Sequence, residues 1–250
     1  MLLAITAIFY LFPQQGNQQQ TYPTANRTPA QQAGTFFSPH DPAAAATLTR
    51  VGTSWFPGAH SIWGATGRDD RGHIWLGVSA TGDTPAHLYE LDPGTGRLTD
   101  HGDPVTALKD NGRHRQGENQ VKLHSKIVPM DDGWLYFASM DESGENADYG
   151  RLPAWGSHLW RYRPSADHWE HLFAAPEGLI AVSGVGRWVY ALGYWDHVLY
   201  QYDTRTGETR QVRVGSEGGH ISRNLIADSN GHVYVPRVSY FDLPASEEAS

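Results

Sequence analysis

The sequence predicts an all-β fold. Three observations carry the prediction. A turn, a Gly and an aromatic-rich strand recur as a unit. A second strand with period-two alternation follows that unit. Turn-formers and aromatics are abundant, and no long helical run is present. The chain has 250 residues, including 27 Gly, 15 Pro, nine Trp and twelve Tyr. That length suits one large all-β domain or two ordinary ones. Charged residues make up 18%, too few for a coiled coil or an acidic disordered chain.

The first element is an apolar run from Leu2 to Phe12. It falls short of the roughly 20 residues that span a bilayer. Its length suits the h-region of a signal peptide, but no Lys or Arg precedes it and no small-x-small site follows. Residues 1–12 are therefore expected to be a signal or membrane-anchor remnant. The expected location is extracytoplasmic, periplasmic or secreted, with a membrane tether at the N-terminus as one form of it. Residues 13–34 are mostly Gln, Thr, Pro, Asn and Ala and read as a low-complexity linker. The folded domain is assigned to residues 35–250.

The repeat governs that domain. The first pattern is Asp70-Arg71-Gly72-His73-Ile74-Trp75-Leu76, then Asp132-Gly133-Trp134-Leu135-Tyr136-Phe137, then Gly186-Arg187-Trp188-Val189-Tyr190-Ala191, then Asn230-Gly231-His232-Val233-Tyr234-Val235. Trp75, Tyr136, Tyr190 and Tyr234 follow one another at steps of 61, 54 and 44 residues. The second pattern is His87 to Pro93, His158 to Pro164 and Val198 to Thr204. Each runs into a hairpin turn and then a further short strand, around 97–99, 169–173 and 209–214.

Four short antiparallel strands per unit define a β-propeller blade. Blade starts fall near His60, His124, Gly178 and His220. About four blades are visible, and the fourth stops before its outer strands. Segment Thr47 to Trp55 reads as an orphan outer strand. The expectation is an incomplete part of a larger ring of roughly six to eight blades. A closed four-bladed ring is the alternative. It needs 47–55 as an outer strand and a further strand from Ser239 to Leu243.

Charge and composition narrow the partners. A net charge of −8 leaves no general basic face, so no nucleic-acid partner is expected. The absence of cysteine excludes disulfides, Cys-zinc sites and thiol nucleophiles.

Blade topology sorts the remaining residues by face. The turns Arg68 to Gly72, Met130 to Gly133 and Asp228 to Gly231 lie on one face and leave little room for chemistry. His60, His124 and His220 begin innermost strands on the other, as equivalent residues converging on the channel mouth. Two long loops rise there, Gly102 to Leu123 and Met140 to Gly156; the second carries Tyr149 and Arg151. Histidines also recur at His73, His87, His158 and His232, as ordinary features of the repeat. No cofactor is expected, and a His-bound divalent metal is a minor alternative without short ligand spacing. The stretch from Lys109 to Lys126 carries five Lys or Arg against Asp110 and Glu118, a local balance of +3. It reads either as a solvated loop or as a seat for an anionic carbohydrate or small molecule.

Leu123-His124-Ser125-Lys126-Ile127-Val128, Asp132 to Ser139 and Gly156 to Tyr162 together resemble bacterial propellers related to ulvan lyases. The likeness to streptogramin-lyase-like propellers is looser. The first resemblance implies β-elimination on a uronate-containing polysaccharide, with His and Tyr moving protons and Arg offsetting the carboxylate charge. His124 matches the motif. The chain departs at Met140, where some relatives carry a second His. Face and chemistry add Tyr149, His220 and Arg223 to the catalytic set, and His60, Lys122, Lys126, Arg151 and Arg237 as substrate-binding residues. Proton abstraction beside a carboxylate suits a neutral His base with cations near the developing charge. The alternative function is a non-catalytic extracytoplasmic ligand-binding or sensor propeller.

Overall fold

The computed structural model describes residues 55–146, 149–195, 197–214 and 224–236, with the backbone of 35–38 and 41–47. The chain divides into two compact units, Met1–Val51 and Gly52–Ser250. In the first, β1 (Thr35–Ser38) and β2 (Asp41–Thr47) form an antiparallel hairpin. Most of the strand expected over 47–55, and all of that over 239–243, lie outside the described residues.

The second unit is built of antiparallel sheets that stack as propeller blades. The first blade holds β3 (Ala59–Ser61), β4 (Thr66–Arg68), β5 (Ile74–Ala80), β6 (His87–Leu91) and β7 (Leu98–Asp100). β3 and β4 both pair with β5, so they are two pieces of one interrupted innermost strand. After α1 (Pro104–Asp110), the second blade repeats the plan. Its strands are β8 (Lys122–Leu123), β9 (Val128–Pro129), β10 (Leu135–Asp141), β11 (Gly156–Arg163) and β12 (His168–Ala175). Again both short pieces pair with one strand, β10.

The third blade has an unbroken innermost strand. It runs β13 (Leu179–Val185), β14 (Trp188–Gly193), β15 (Val198–Asp203) and β16 (Thr209–Arg213), in that spatial order. Of the fourth unit the described residues hold β17 (Ile226–Ala227) and β18 (Val233–Tyr234), paired antiparallel. Trp75 pairs with Glu90, Tyr136 with Arg161 and Tyr190 with Gln201, so the aromatic residues aligned by the repeat occupy one position in three blades.

The second blade shows why a blade needs neighbours. Leu135 and Phe137 of β10, with Trp160 and Tyr162 of β11, share a core with Trp75 and Leu88 of the first blade. Tyr136 and Ala138 of β10, with Leu159 of β11, share another with Leu179, Val189 and Tyr200 of the third. Side chains alternate across a strand, so one strand feeds two cores. Each fully buried leucine contributes roughly 1.5–3 kcal/mol. On its far side the third blade packs Tyr190 and Leu192 against Leu225, with Val233 of the fourth unit beside them.

Close approach between blades requires small residues. A Cβ at Gly77 would stand 2.6 Å from the Cβ atoms of Ala65 and Leu123, so only glycine lets β5 meet β8 at this distance.

The Gly102–Leu123 segment, expected as a loop, contains the helix α1. Asp103 caps it by accepting from Thr106 N at 2.8 Å, and Pro104 occupies the first turn. Pro104, Val105, Ala107 and Leu108 are buried, and Ala107 and Leu108 join the core between the first two blades. Among the described residues no helix is long and apolar enough to cross a membrane.

Candidate functional site

Innermost strands of a propeller line its central channel. In the first two blades that strand is interrupted, over 62–65 and 124–127. The breaks correspond. Ser61 pairs with Ser79 and Gly67 with Trp75; Lys122 pairs with Met140 and Val128 with Tyr136. The 61-residue step from Trp75 to Tyr136 therefore also carries Trp63 onto His124.

Local hydrogen bonds hold each break open. In the first blade Gly77 N donates to Ala65 O at 2.7 Å. In the second the corresponding Ala138 N donates to Ser125 Oγ at 2.8 Å. A backbone carbonyl and a serine hydroxyl thus do the same work, so the strand partner is satisfied while the chain bulges.

The register corrects the equivalence of the histidines. His60 precedes the Ser61–Ser79 pair, whereas His124 follows the Lys122–Met140 pair. The first-blade counterpart of His124 is Trp63. The structure nevertheless brings three of the expected residues together, around that tryptophan. The rings of His60 and Trp63 stack with centroids 6.3 Å apart. Trp63 and His124 meet edge-on at 6.0 Å. Lys122 Nζ lies 5.6 Å from the Trp63 ring centre and 2.5 Å from Glu142 Oε2. Trp63 remains 46% exposed, and Ile62 beside it is also exposed.

This arrangement pairs an accessible indole face with two imidazoles and an ammonium group. An indole face carries negative quadrupole density, which attracts cations and polarised C–H groups. The neighbouring nitrogens supply directional hydrogen bonds. An apolar platform with a few convergent polar groups is the usual composition of a small-molecule site.

The other expected residues are placed elsewhere. Tyr149 is 81% exposed, and its backbone N–H donates to Asn146 Oδ1. Arg151 is exposed on the same turn, and its backbone bridges Asn146. No contact joins either residue to His124 among the described residues. Lys126 is exposed in the second break. His220, Arg223 and Arg237 lie outside the described residues.

The basic stretch is not a set of unopposed cations. Arg115 Nε donates to Glu118 Oε2 at 3.1 Å, and its Nη2 donates to Trp155 O at 2.7 Å. Lys122 is held by Glu142. Glu142, just past β10, thus joins Asp110 and Glu118 and lowers the local balance.

Glu118 also opens a buried network. His158 Nε2 lies 2.6 Å from Glu118 Oε1, and His158 Nδ1 lies 2.7 Å from His171 Nε2. Burial alone would raise the Glu118 pKa, but hydrogen bonds from His158 and Arg115 outweigh it and hold the group at about 2. Burial, reinforced by His158 and Arg113, lowers His171 to about 4. The sequence reading placed His158 among the ordinary repeat histidines; Glu118 and His171 carried no motif.

Asp69, His73 and Glu90 are the group of potential metal ligands that falls within reach of one ion among the described residues, with donor atoms within 4.8 Å of one another. Arg71 already supplies the cation: its Nη2 lies 2.8 Å from both Asp69 Oδ2 and Glu90 Oε1. Glu90 also accepts from His101 at 3.0 Å, and His101 reaches Asp167 beside the second blade. These groups form a joint between blades, and no metal is assigned to them.

The same face, expected to leave little room, carries an open cavity of about 720 Å³ between the second and third blades.

No family model matches the chain, and no curated protein matches it. Solved structures to which the chain is similar include the extracellular domain of a protein described as a putative hybrid two component system from B. thetaiotaomicron. It is 15% identical, with a TM-score of 0.48, over 70% of this chain and 20% of that one. An auxiliary nutrient binding protein from Bacteroides thetaiotaomicron VPI-5482 is 12% identical, with a TM-score of 0.46, over 73% of this chain and 36% of that one. The computationally designed Ika4 protein is 14% identical, with a TM-score of 0.45, over 75% of this chain and 99% of that one. The chain spans about a fifth of the length of the two-component domain.

Proposed function

We propose that this chain is a non-catalytic, extracytoplasmic ligand-binding propeller that takes a saccharide ring against Trp63. The observation that carries the reading is the exposed Trp63 ring, bracketed by His60, His124 and Lys122 on the innermost strands. Sugar C–H groups would lie on the indole face, and ring hydroxyls would bond the exposed His60 imidazole and the Lys122 ammonium. Lys122 is already balanced by Glu142, which supports a ligand recognised mainly by shape and hydroxyls.

The lyase reading belongs to the same proposal as its alternative. It gives His124 the role of base, and it rests on the resemblance to ulvan-lyase propellers. The exposed position of Tyr149 favours the binding reading over it. One titration separates them. Oligosaccharides, neutral and uronate, are titrated calorimetrically into the full chain and its Trp63→Ala variant, while ultraviolet absorbance follows unsaturated uronate. Binding that falls about tenfold or more in Trp63→Ala, without new absorbance, is the expected result. Unsaturated product that vanishes in His124→Ala would replace the binding reading with the lyase. Equal binding by the two chains would remove Trp63 from the site.

A further inference from the structure

We propose that the cavity between the second and third blades is a separate binding site for an acidic saccharide, because four arginines from three chain segments converge on it beside Trp134 and Asp131. It lies on the face opposite the long loops and does not use Trp63.

The lining explains the ligand class. Arg161 and Arg163 come from the end of β11, Arg187 from the β13–β14 turn and Arg205 from the β15–β16 turn. In a chain of net charge −8 this is a local concentration of guanidinium groups. Two are engaged by the chain's own carboxylates. Arg161 grips Glu170 with two nitrogens, Nη2 at 2.7 Å and Nε at 3.0 Å. Arg187 Nη2 lies 3.3 Å from Asp203 Oδ2.

The other two have no carboxylate partner among the described residues. Arg163 makes a 3.4 Å hydrogen bond to Asp132 O and stacks on Trp134, 4.4 Å from the ring centre. Arg161 lies 4.3 Å from the same ring. The side chain of Arg205 is exposed. Stacking fixes the plane of the Arg163 guanidinium, and the N–H groups not used in the bond to Asp132 O can meet a carboxylate or sulfate.

Size and the remaining lining refine the class. A volume of about 720 Å³ lies within the usual range for small-molecule sites and exceeds what a lone inorganic anion fills. Asp131, exposed at the rim, would repel a compact polyanion but accepts from a hydroxyl. An anionic group against Arg163 and Arg205, with hydroxyls toward Asp131, describes a sugar acid.

The test uses the full chain carrying Trp63→Ala, so that the contribution of the opposite face is reduced. Digalacturonate, its dimethyl ester and inorganic sulfate are titrated calorimetrically. The acid is expected to bind, and the ester to bind about tenfold more weakly or worse. Arg205→Gln and Arg163→Gln should each weaken the acid by about tenfold, and thermal melts should show both variants folded. Unchanged affinity in both variants overturns the proposal. So does an ester that binds as well as the acid. Sulfate that competes as well as digalacturonate reduces the site to one for simple anions and overturns the saccharide assignment.

Discussion

Trp63 and His124 occupy the same position in the innermost strands of neighbouring blades, and their rings meet edge-on with centroids 6.0 Å apart. Two blades of one repeat therefore present different chemistry at one address, an indole and an imidazole. The contact bridges two separately hydrogen-bonded strand breaks, so a change in one ring is expected to be felt at the other.

That coupling is measurable by a double-mutant cycle. Trp63→Ala, His124→Ala and the double variant are compared by urea denaturation. Edge-on aromatic pairs contribute about 0.5–1.5 kcal/mol beyond area burial, so the single effects should overshoot the double by that amount. Strictly additive effects would show that the rings do not communicate.

Gly77→Ala tests the blade spacing. The added methyl would stand 2.6 Å from the Cβ atoms of Ala65 and Leu123, which no side-chain rotation moves away. The expected cost is about 1–3 kcal/mol. Gly94→Ala is the control, since only the Asp92 carboxylate lies near and the position is exposed. Its effect should stay within about 0.5 kcal/mol. Equal effects at the two sites would contradict the close approach of β5 and β8.

The buried Glu118–His158–His171 network makes stability depend on acidity. His171 has its pKa lowered from 6.5 to about 4 in the folded chain, so the unfolded state binds more protons between those values. Glu118 is lowered from 4.5 to about 2, with the same sign. Stability should be full above about pH 6.5, decline toward pH 4 through His171, and decline again from pH 4.5 to pH 2 through Glu118. Urea midpoints across that range give the curve. The carboxyls of Asp69, Glu90 and Asp167 are also lowered in the folded chain, so Glu118→Gln should reduce the lower limb without abolishing it, and should lower stability at neutral pH; an unchanged lower limb would show that Glu118 does not contribute to it.

Much of the fold was legible because the repeat carries its own punctuation. Asp-Gly turns and the aromatic residues at 75, 136 and 190 mark corresponding strands, and their pairing partners correspond as expected. The helix α1 was not legible. Seven residues give too little periodicity to outweigh the surrounding loop pattern, although Asp103-Pro104 is a start signal. The site was half legible. Residue type drew attention to His60 as the partner of His124, but strand register selects Trp63. The 61-residue step that relates Trp75 to Tyr136 already contained that answer. The arginine-lined cavity was not legible, because its arginines come from one strand end and two turns in two blades. Only the stacking of those blades makes them neighbours.

The alternation within β10 restricts how such a gene can change. Losing one codon there would hand every following side chain to the wrong neighbour, delivering Phe137 to the side that accepts Ala138 and the reverse. Loops are free of this parity, and so are insertions of entire blades, which leave the register within each strand intact. The interior of the strand admits substitution but not a change of length, so the lineage of this chain should show indels at its turns and duplication in units of a whole repeat.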